Sequence, residues 1–367
     1  MTTPCGDPLF QLNAVLWMLQ PLPTGSTAVN AVLHHQGYAV RSMGQSLTAG
    51  AELERRLAVD LGLRGAPAPD VLASAPAGDP WPIFECKRSS FGAESSTSDQ
   101  ASKVLARGAD LSLTAGAAPG QQIAGCVVFV TRDDQAVAVQ DTLDELRATL
   151  HKAGVAAASA ATVGIRVETG VGVSAQVKAG TFPGAGGIAL AEEVVVVPAA
   201  GQDEDARPLY LVPFDPSVEQ DEEERARCLR ILLARGQAHA ASMVGRGPAQ
   251  GTVVLQAHEL IDAATYGLAR YWRDSSARDR AAQEILRFAK SALASMRKSK
   301  APMVSEGNGP KRLEVVIQSA DHRQDCAEAV MSHPLPGEPD FPPYVEDELP
   351  FADAAGPRGS DSTEAAP

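Results

Sequence analysis

Pro69-Asp70-Val71-Leu72-Ala73-Ser74 and Trp81-Pro82-Ile83-Phe84-Glu85-Cys86-Lys87 are the two short stretches that decide how this chain folds. Each reads as part of a strand. Val71 and Leu72 follow the aspartate, and Trp81, Pro82, Ile83 and Phe84 lead into the glutamate. Pro76, Gly78, Asp79 and Pro80 mark a turn between them. Two strands joined by that turn bring Asp70 and Glu85 side by side at one end of a sheet. Side chains alternate faces along a strand, so Glu85 and Lys87 share a face and Cys86 takes the other. Trp81, Ile83 and Phe84 make the second strand apolar on both faces, which places it centrally. Charges at the end of a buried strand need a partner, either a metal or each other. Two carboxylates and an ammonium thus converge on one point. Hard oxygen ligands suit Mg²⁺, which takes one or two carboxylates plus water and phosphate oxygens. A lysine beside them orients or helps to deprotonate a metal-bound water. The outline is that of a phosphodiester-cleaving site; an ordinary surface hairpin with solvated charges is the competing reading.

At these residues the chain resembles the PD-(D/E)xK nuclease superfamily, the fold of many restriction endonucleases and repair nucleases. The resemblance covers residues 24–135. The family order of elements maps onto a helix at Ser26–Gln36, strands at Tyr38–Ser42, Pro69–Ser74 and Pro82–Arg88, a helix at Thr97–Arg107 and a strand at Ile123–Thr131. The resemblance implies that Asp70 and Glu85 hold the metal, that Lys87 serves the attacking water, and that the backbone carbonyl of Cys86 is a further ligand. The cofactor it implies is Mg²⁺, with Mn²⁺ as a substitute. Many members carry a further glutamate on the first helix, and Ser26–Gln36 has no acid. Glu52 or Glu54 would have to fill that place, from an extra helix over Ala49–Leu61 whose apolar face is Leu53, Leu57 and Leu61; a solvated glutamate is the alternative for either. Thr97 and Gln100 fit a capping box at the start of the following helix. Gln100, Lys103 and Arg107 share a face of it. Family members often place a glutamine or basic residue there, so Gln100 and Lys103 are auxiliary candidates beside the capping and solvated-face readings.

The wider composition sets limits. The chain has 367 residues, 44% hydrophobic, enough for two domains and tails. No apolar run approaches the ~20 residues of a membrane span, and Met1–Gly6 shows no secretory signal. The five cysteines, Cys5, Cys86, Cys126, Cys228 and Cys326, form no C-x-x-C pair. That pattern predicts reduced thiols and a cytoplasmic setting. The net charge of −13 counts against a nonspecific polyanion binder, because phosphate affinity rests on Lys and Arg. The distribution matters more: bases are enriched over Arg273–Lys300 and at Lys311-Arg312.

Around the central module the pattern predicts a helix at Leu9–Leu19 and another over Gln140–Gly154. Strands follow at Ala161–Val167, Val171–Ala179, Glu193–Val197 and Leu209–Pro213, either as a β-rich subdomain or as an extension of the sheet. Gly184-Ala185-Gly186-Gly187 reads as a hairpin turn, since the Lys-Ser/Thr ending of a phosphate loop is missing. Helices at Glu219–Arg235, His258–Trp272 and Ser276–Lys298 and strands at Gly251–Gln256 and Leu313–Gln318 complete the chain to about Pro334. Beyond it the composition is Pro-rich, acidic and then small and polar, which reads as a disordered tail. Within the tail, Tyr344–Phe351 resembles the acidic tip of bacterial single-stranded-DNA-binding proteins. Glu346, Asp347, Glu348 and Phe351 would carry a contact with a protein partner; a plain acidic tail is the alternative.

The expected architecture is therefore an α/β restriction-endonuclease-like core, a mixed sheet flanked by helices, over residues 1–135. A C-terminal α+β accessory region follows over 136–333, and a tail over 334–367. The expected function is a metal-dependent DNA nuclease, a hydrolase of phosphodiester bonds in bacterial restriction, defence or DNA repair. The alternative is a non-catalytic scaffold or assembly protein that keeps the nuclease fold and acts through protein partners.

Overall fold

The strand-forming runs of the first half assemble into one sheet. In a computed structural model that describes residues 4–21, 29–92, 94–168, 171–183, 190–198, 210–212, 222–297, 301–306 and 311–336, seven strands lie side by side in chain order. They are β1 (Ala39–Met43), β2 (Val71–Ser74), β3 (Trp81–Cys86), β4 (Gly125–Arg132), β5 (Ser159–Glu168), β6 (Gly172–Gly180) and β7 (Val194–Pro198). β3, β4 and β5 run parallel, and the pairs on either side of them are antiparallel. Parallel neighbours need a crossover. The helix between β3 and β4 spans Ser96–Gly108, and the one between β4 and β5 spans Ala136–Lys152.

In chain order the helices of this unit are α1 (Pro8–Leu19), α2 (Val32–His35), α3 (Ala51–Val59), α4 (Ser96–Gly108), α5 (Ser112–Ala115) and α6 (Ala136–Lys152). The sheet has a core on each side. On one, Ile83, Val127 and Phe129 pack with Val104 and Leu105 of α4 and Leu143 of α6. On the other, Val71, Phe84, Val128 and Val130 pack with α1. Eleven consecutive residues of α1, Leu9–Leu19, are buried, as expected of a helix apolar all round. The end of α4 is fixed by close approach. A Cβ on Gly125 would stand 2.7 Å from the carbonyl oxygen of Gly108. With its last residue against the start of β4, α4 begins at the far end of the strands, where Glu85 and Lys87 lie.

A second unit follows. β8 (Gly251–Gln256), β9 (Met303–Glu306) and β10 (Arg312–Ile317) form an antiparallel sheet in the order β8-β10-β9. With it come α7 (Glu222–Arg246), α8 (Ala257–Ala264), α9 (Ser275–Ala294) and α10 (Ala320–Met331). Leu255, Leu260, Ile285, Leu293, Leu313 and Val330 share its core. Among the described residues no helix is long and apolar enough to cross a membrane.

The mixed sheet with flanking helices is the coarse architecture expected from sequence, and β5–β7 extend that sheet instead of forming one of their own. Several local expectations need correction. His258–Trp272 is not one helix: α8 ends at Ala264, Tyr266 and Gly267 take φ of 53° and 81°, and a 3-10 turn covers Leu268–Tyr271. α7 continues past Arg235 to Arg246. α10 and β9 were not anticipated. Of the helix expected at Ser26–Gln36, Val32–His35 is helical, and residues 22–28 lie outside the described residues. Of the strand expected at Leu209–Pro213, Tyr210, Leu211 and Val212 are described and form no strand. The Gly184–Gly187 turn and the tail from residue 337, with Glu346, Asp347, Glu348 and Phe351, lie outside the described residues.

Candidate active site

The site is built where β2 and β3 separate. Val71 lies opposite Phe84 and Leu72 opposite Ile83. Continuing that register by one residue sets Asp70 against Glu85. On the other side of β3, Trp81 N–H donates to the Ala124 carbonyl at 2.8 Å and Lys87 N–H to the Val130 carbonyl at 2.9 Å. Odd-numbered residues of β3 therefore bond to β4, and even-numbered ones face β2. Pro82 fits this pattern, since its missing N–H falls on the β2 side. Cys86 faces β2 just where that strand has not yet begun. Its N–H donates instead to Asp70 Oδ2, at 2.5 Å. The aspartate thus stands in for a ladder partner and is tied to the backbone between Glu85 and Lys87.

Phe84 and Cys86 point into the α1 core. Ile83 points into the α4 core, so Glu85 and Lys87 lie on that face, at the end of the strand. Lys87 Nζ is 3.1 Å from Glu85 Oε2, and the two side chains are 25% and 2% exposed. Burial pulls the Lys87 amine down, but the carboxylates of Glu85 and Asp70 and the hydrogen bond to Glu85 outweigh it. The net effect holds the amine above the usual lysine range. Opposite Glu85 on β4 is Phe129, whose ring is 5.6 Å from that of Phe91. The Phe91 carbonyl accepts from the Thr142 hydroxyl of α6 at 3.0 Å. The chain leaving β3 is thereby pinned across the sheet, next to the buried glutamate.

The structure brings Asp70, Glu85, Cys86 and Lys87 together, and places the other sequence candidates elsewhere on α3 and α4. Glu54 takes both prongs of the Arg107 guanidinium, at 2.8 and 2.6 Å. Those hydrogen bonds, against a partial burial that works the other way, lower its carboxyl below the usual glutamate range. Lys103 Nζ donates to the Arg64 carbonyl at 3.3 Å. Gln100 is half-buried on α4. The expected capping box of Thr97 and Gln100 is corrected to a Ser95 cap. Ser95 Oγ accepts from Ser98 N–H at 3.1 Å, and the Ser98 hydroxyl donates to the Ser95 carbonyl at 2.5 Å. The cap lies two residues before the one the sequence pattern suggests, so the Ser95–Ser98 pair fills the place given to Thr97 and Gln100.

One contributor was missed from sequence. Gln11, fully buried on α1, donates its amide to the Lys87 carbonyl at 2.9 Å and to the Cys5 carbonyl at 2.7 Å. The peptide of Lys87 is therefore held on both sides, by Val130 and by Gln11. The available signal was a glutamine and an asparagine inside the apolar run Leu9–Leu19. Asn13 serves differently, bonding both backbone groups of Val212.

No protein-family model matches the chain, and neither does any curated protein or solved structure.

Proposed function

We propose that this chain is a metal-dependent nuclease that hydrolyses DNA phosphodiester bonds, in a setting of bacterial restriction, defence or repair. The observation that carries the reading is the Lys87 ammonium 3.1 Å from the buried Glu85 carboxylate, with Asp70, just before β2, bonded to the peptide between them. Among the described residues, no three His, Cys, Asp or Glu side chains are grouped to hold a metal. The Cys86 thiol is turned into the core, so sulfur ligation is excluded there. The donor set is two hard carboxylates and, by the alternation along β3, the Cys86 carbonyl on the β2 side. That set fits Mg²⁺ or Mn²⁺, which complete their shell with water and phosphate oxygens, and does not fit a structural zinc site.

Asp70 and Glu85 would hold the cation. When bound, it would supply charge neutralisation at the scissile phosphate and acidify a bound water. Lys87 orients the attacking water through its ammonium and faces the charge that builds on the phosphate oxygens. Its peptide is fixed at both ends, so the side chain starts from a set position while the ammonium turns on its stem. Burial of Glu85 lowers the local dielectric and strengthens each of these interactions.

The test is incubation with plasmid and linear DNA in Mg²⁺, Mn²⁺ or EDTA, beside Lys87→Ala. Cutting that requires the metal and is lost in the variant is expected. Wild-type protein that leaves DNA intact under all these conditions would overturn the enzyme in favour of a scaffold with a nuclease-like sheet.

A further inference from the structure

The edge of the main sheet beside the site is completed by the second unit. Trp272 forms a parallel bridge with Met43 of β1, and Arg273 N–H donates to the Met43 carbonyl at 3.0 Å. Trp272 and Met43 are both buried in the core on the α1 side. The backbone at Trp272 is extended, with φ −70° and ψ 124°. The next side chain, Arg273, is therefore turned to the opposite face, the one that carries Leu72, Ile83 and Glu85.

The registers place Arg273 along the sheet as well. Met43 is opposite Val71, and Val71 is opposite Phe84. One residue further on, Arg273, Gly44, Asp70 and Glu85 fall in one row across the strands. Gly44 N–H donates to the carbonyls of Pro69 and Asp70, at 3.1 and 3.3 Å, which ties that row together. At about 4.8 Å per strand, Arg273 stands roughly 10 Å from Asp70. Between them is Gly44, with no side chain and φ of +63°; nothing lies within 4 Å of where its Cβ would be. The row therefore reads guanidinium, open gap, carboxylate, carboxylate. Arg273 is exposed, and its side chain has no ion pair among the described residues. Arg107, Arg132 and Arg166, by contrast, are each engaged by an acid.

We propose that Arg273 is a phosphate-binding residue of this site, gripping the DNA backbone across the gap at Gly44; the proposal rests on the nuclease reading above. A guanidinium matches phosphate with a planar fork and keeps its charge at all working pH. In a chain of net charge −13, the affinity for DNA has to come from such local cations. The second unit then has a role in the chemistry of the first: it closes the sheet edge and delivers a cation to the row of Asp70 and Glu85.

The experiment measures binding of labelled duplex and single-stranded DNA over a range of salt, with Ca²⁺ replacing Mg²⁺ to separate binding from cutting. It also measures kcat and KM in Mg²⁺. Arg273→Ala is expected to weaken binding about tenfold and to raise KM with kcat unchanged. The slope of log K against log salt should become shallower by about 0.9 for duplex or about 0.7 for a single strand, the signature of one lost phosphate contact. Arg273→Lys should retain the slope. Arg55→Ala, which removes an exposed charge paired to Glu52, is the control and should change neither quantity. If Arg273→Ala and Arg273→Glu bind with the wild-type slope in a protein that cuts DNA, the role of Arg273 is overturned and the nuclease reading stands. If wild-type protein neither binds nor cuts DNA, both are overturned.

Discussion

Two glutamate–cation pairs lie on the same side of the main sheet and are built in opposite senses. In Glu85–Lys87 the acid is buried and the base reaches solvent, with 2% and 25% of the side chains exposed. In Glu54–Arg107 the base is fully buried and the acid is 39% exposed. Lys87 meets Glu85 as a point charge at 3.1 Å. Arg107 closes a two-pronged fork on Glu54. A fork has both carboxylate oxygens engaged in a set geometry, so it serves as a brace between α3 and α4. An ammonium has three donors on a long stem and one contact here, so it can turn toward a water or a phosphate without the strand moving. The first pair is chemically usable because it is less complete.

The difference is testable because the member whose loss hurts most is reversed. Removing the exposed partner strands a buried charge, whereas removing the buried partner leaves a charge that water can reach. Lys87→Ala should therefore lower DNA cutting by on the order of 10²–10³. It should also lower stability by about 3–5 kcal/mol in urea titrations, since Glu85 is left without its cation. Glu85→Gln should lose as much cutting with at most about 1 kcal/mol of stability, and the double variant Glu85→Gln/Lys87→Met should recover most of what Lys87→Ala lost. Equal stabilities for Lys87→Ala and Glu85→Gln would show that the carboxylate is hydrated after all, and the contrast between the pairs would be gone.

In the second pair the prediction is inverted. Glu54→Ala strands the buried guanidinium and should cost about 3 kcal/mol. Arg107→Met leaves a hydrated glutamate and should cost about 1–2 kcal/mol. Neither should alter cutting per folded molecule beyond about twofold, since neither residue touches the row of Asp70 and Glu85. The two pairs also separate by pH. Glu54 titrates lower in the folded than in the unfolded chain, so its contribution is fully present above the ordinary glutamate value of 4.5. It fades as the pH falls through the lowered folded value. Lys87 titrates higher when folded, so its contribution is fully present below the ordinary lysine value of 10.5. That contribution fades as the pH rises through the raised folded value. Stability measured against pH should lose part of its acid limb in Arg107→Met and keep its alkaline limb; loss of both limbs would mean that the pairs are coupled.

What could be seen in the sequence follows the same division. Asp70, Glu85 and Lys87 were legible because strand alternation and a Gly/Pro turn act over a few residues, and β3 and β4 form where apolar runs are long. The brace was not legible, since nothing local links Glu54 to Arg107 across 53 positions. The same holds for Gln11, which reaches Lys87 across 76. Arg273 reads as one more base in a basic stretch until Trp272 is seen buried beside Met43. The break in His258–Trp272 was hidden by its apolar spacing, which continues through Gly267. α10 was missed because its buried residues are only His322, Cys326 and Val330, too few for an apolar stripe.

The smallest effect concerns α4, the helix that carries Arg107 near its end and begins near the site. Its first turn has orphan N–H groups, and Ser95 satisfies that of Ser98. Ser95→Ala should cost about 1 kcal/mol. Thr97→Ala, at the position the sequence pattern favours for the cap, should stay within about 0.5 kcal/mol. Because the cap sits at the site end, fraying there disturbs the segment from Phe91 that closes over Phe129, while the Glu54–Arg107 fork holds the other end. Hydrogen exchange should therefore rise at Ser98–Gln100 in Ser95→Ala and stay unchanged at Leu105–Arg107. Exchange that rises equally at both ends would mean that α4 opens as one unit, and that the brace does not protect its end of the helix from events at the site.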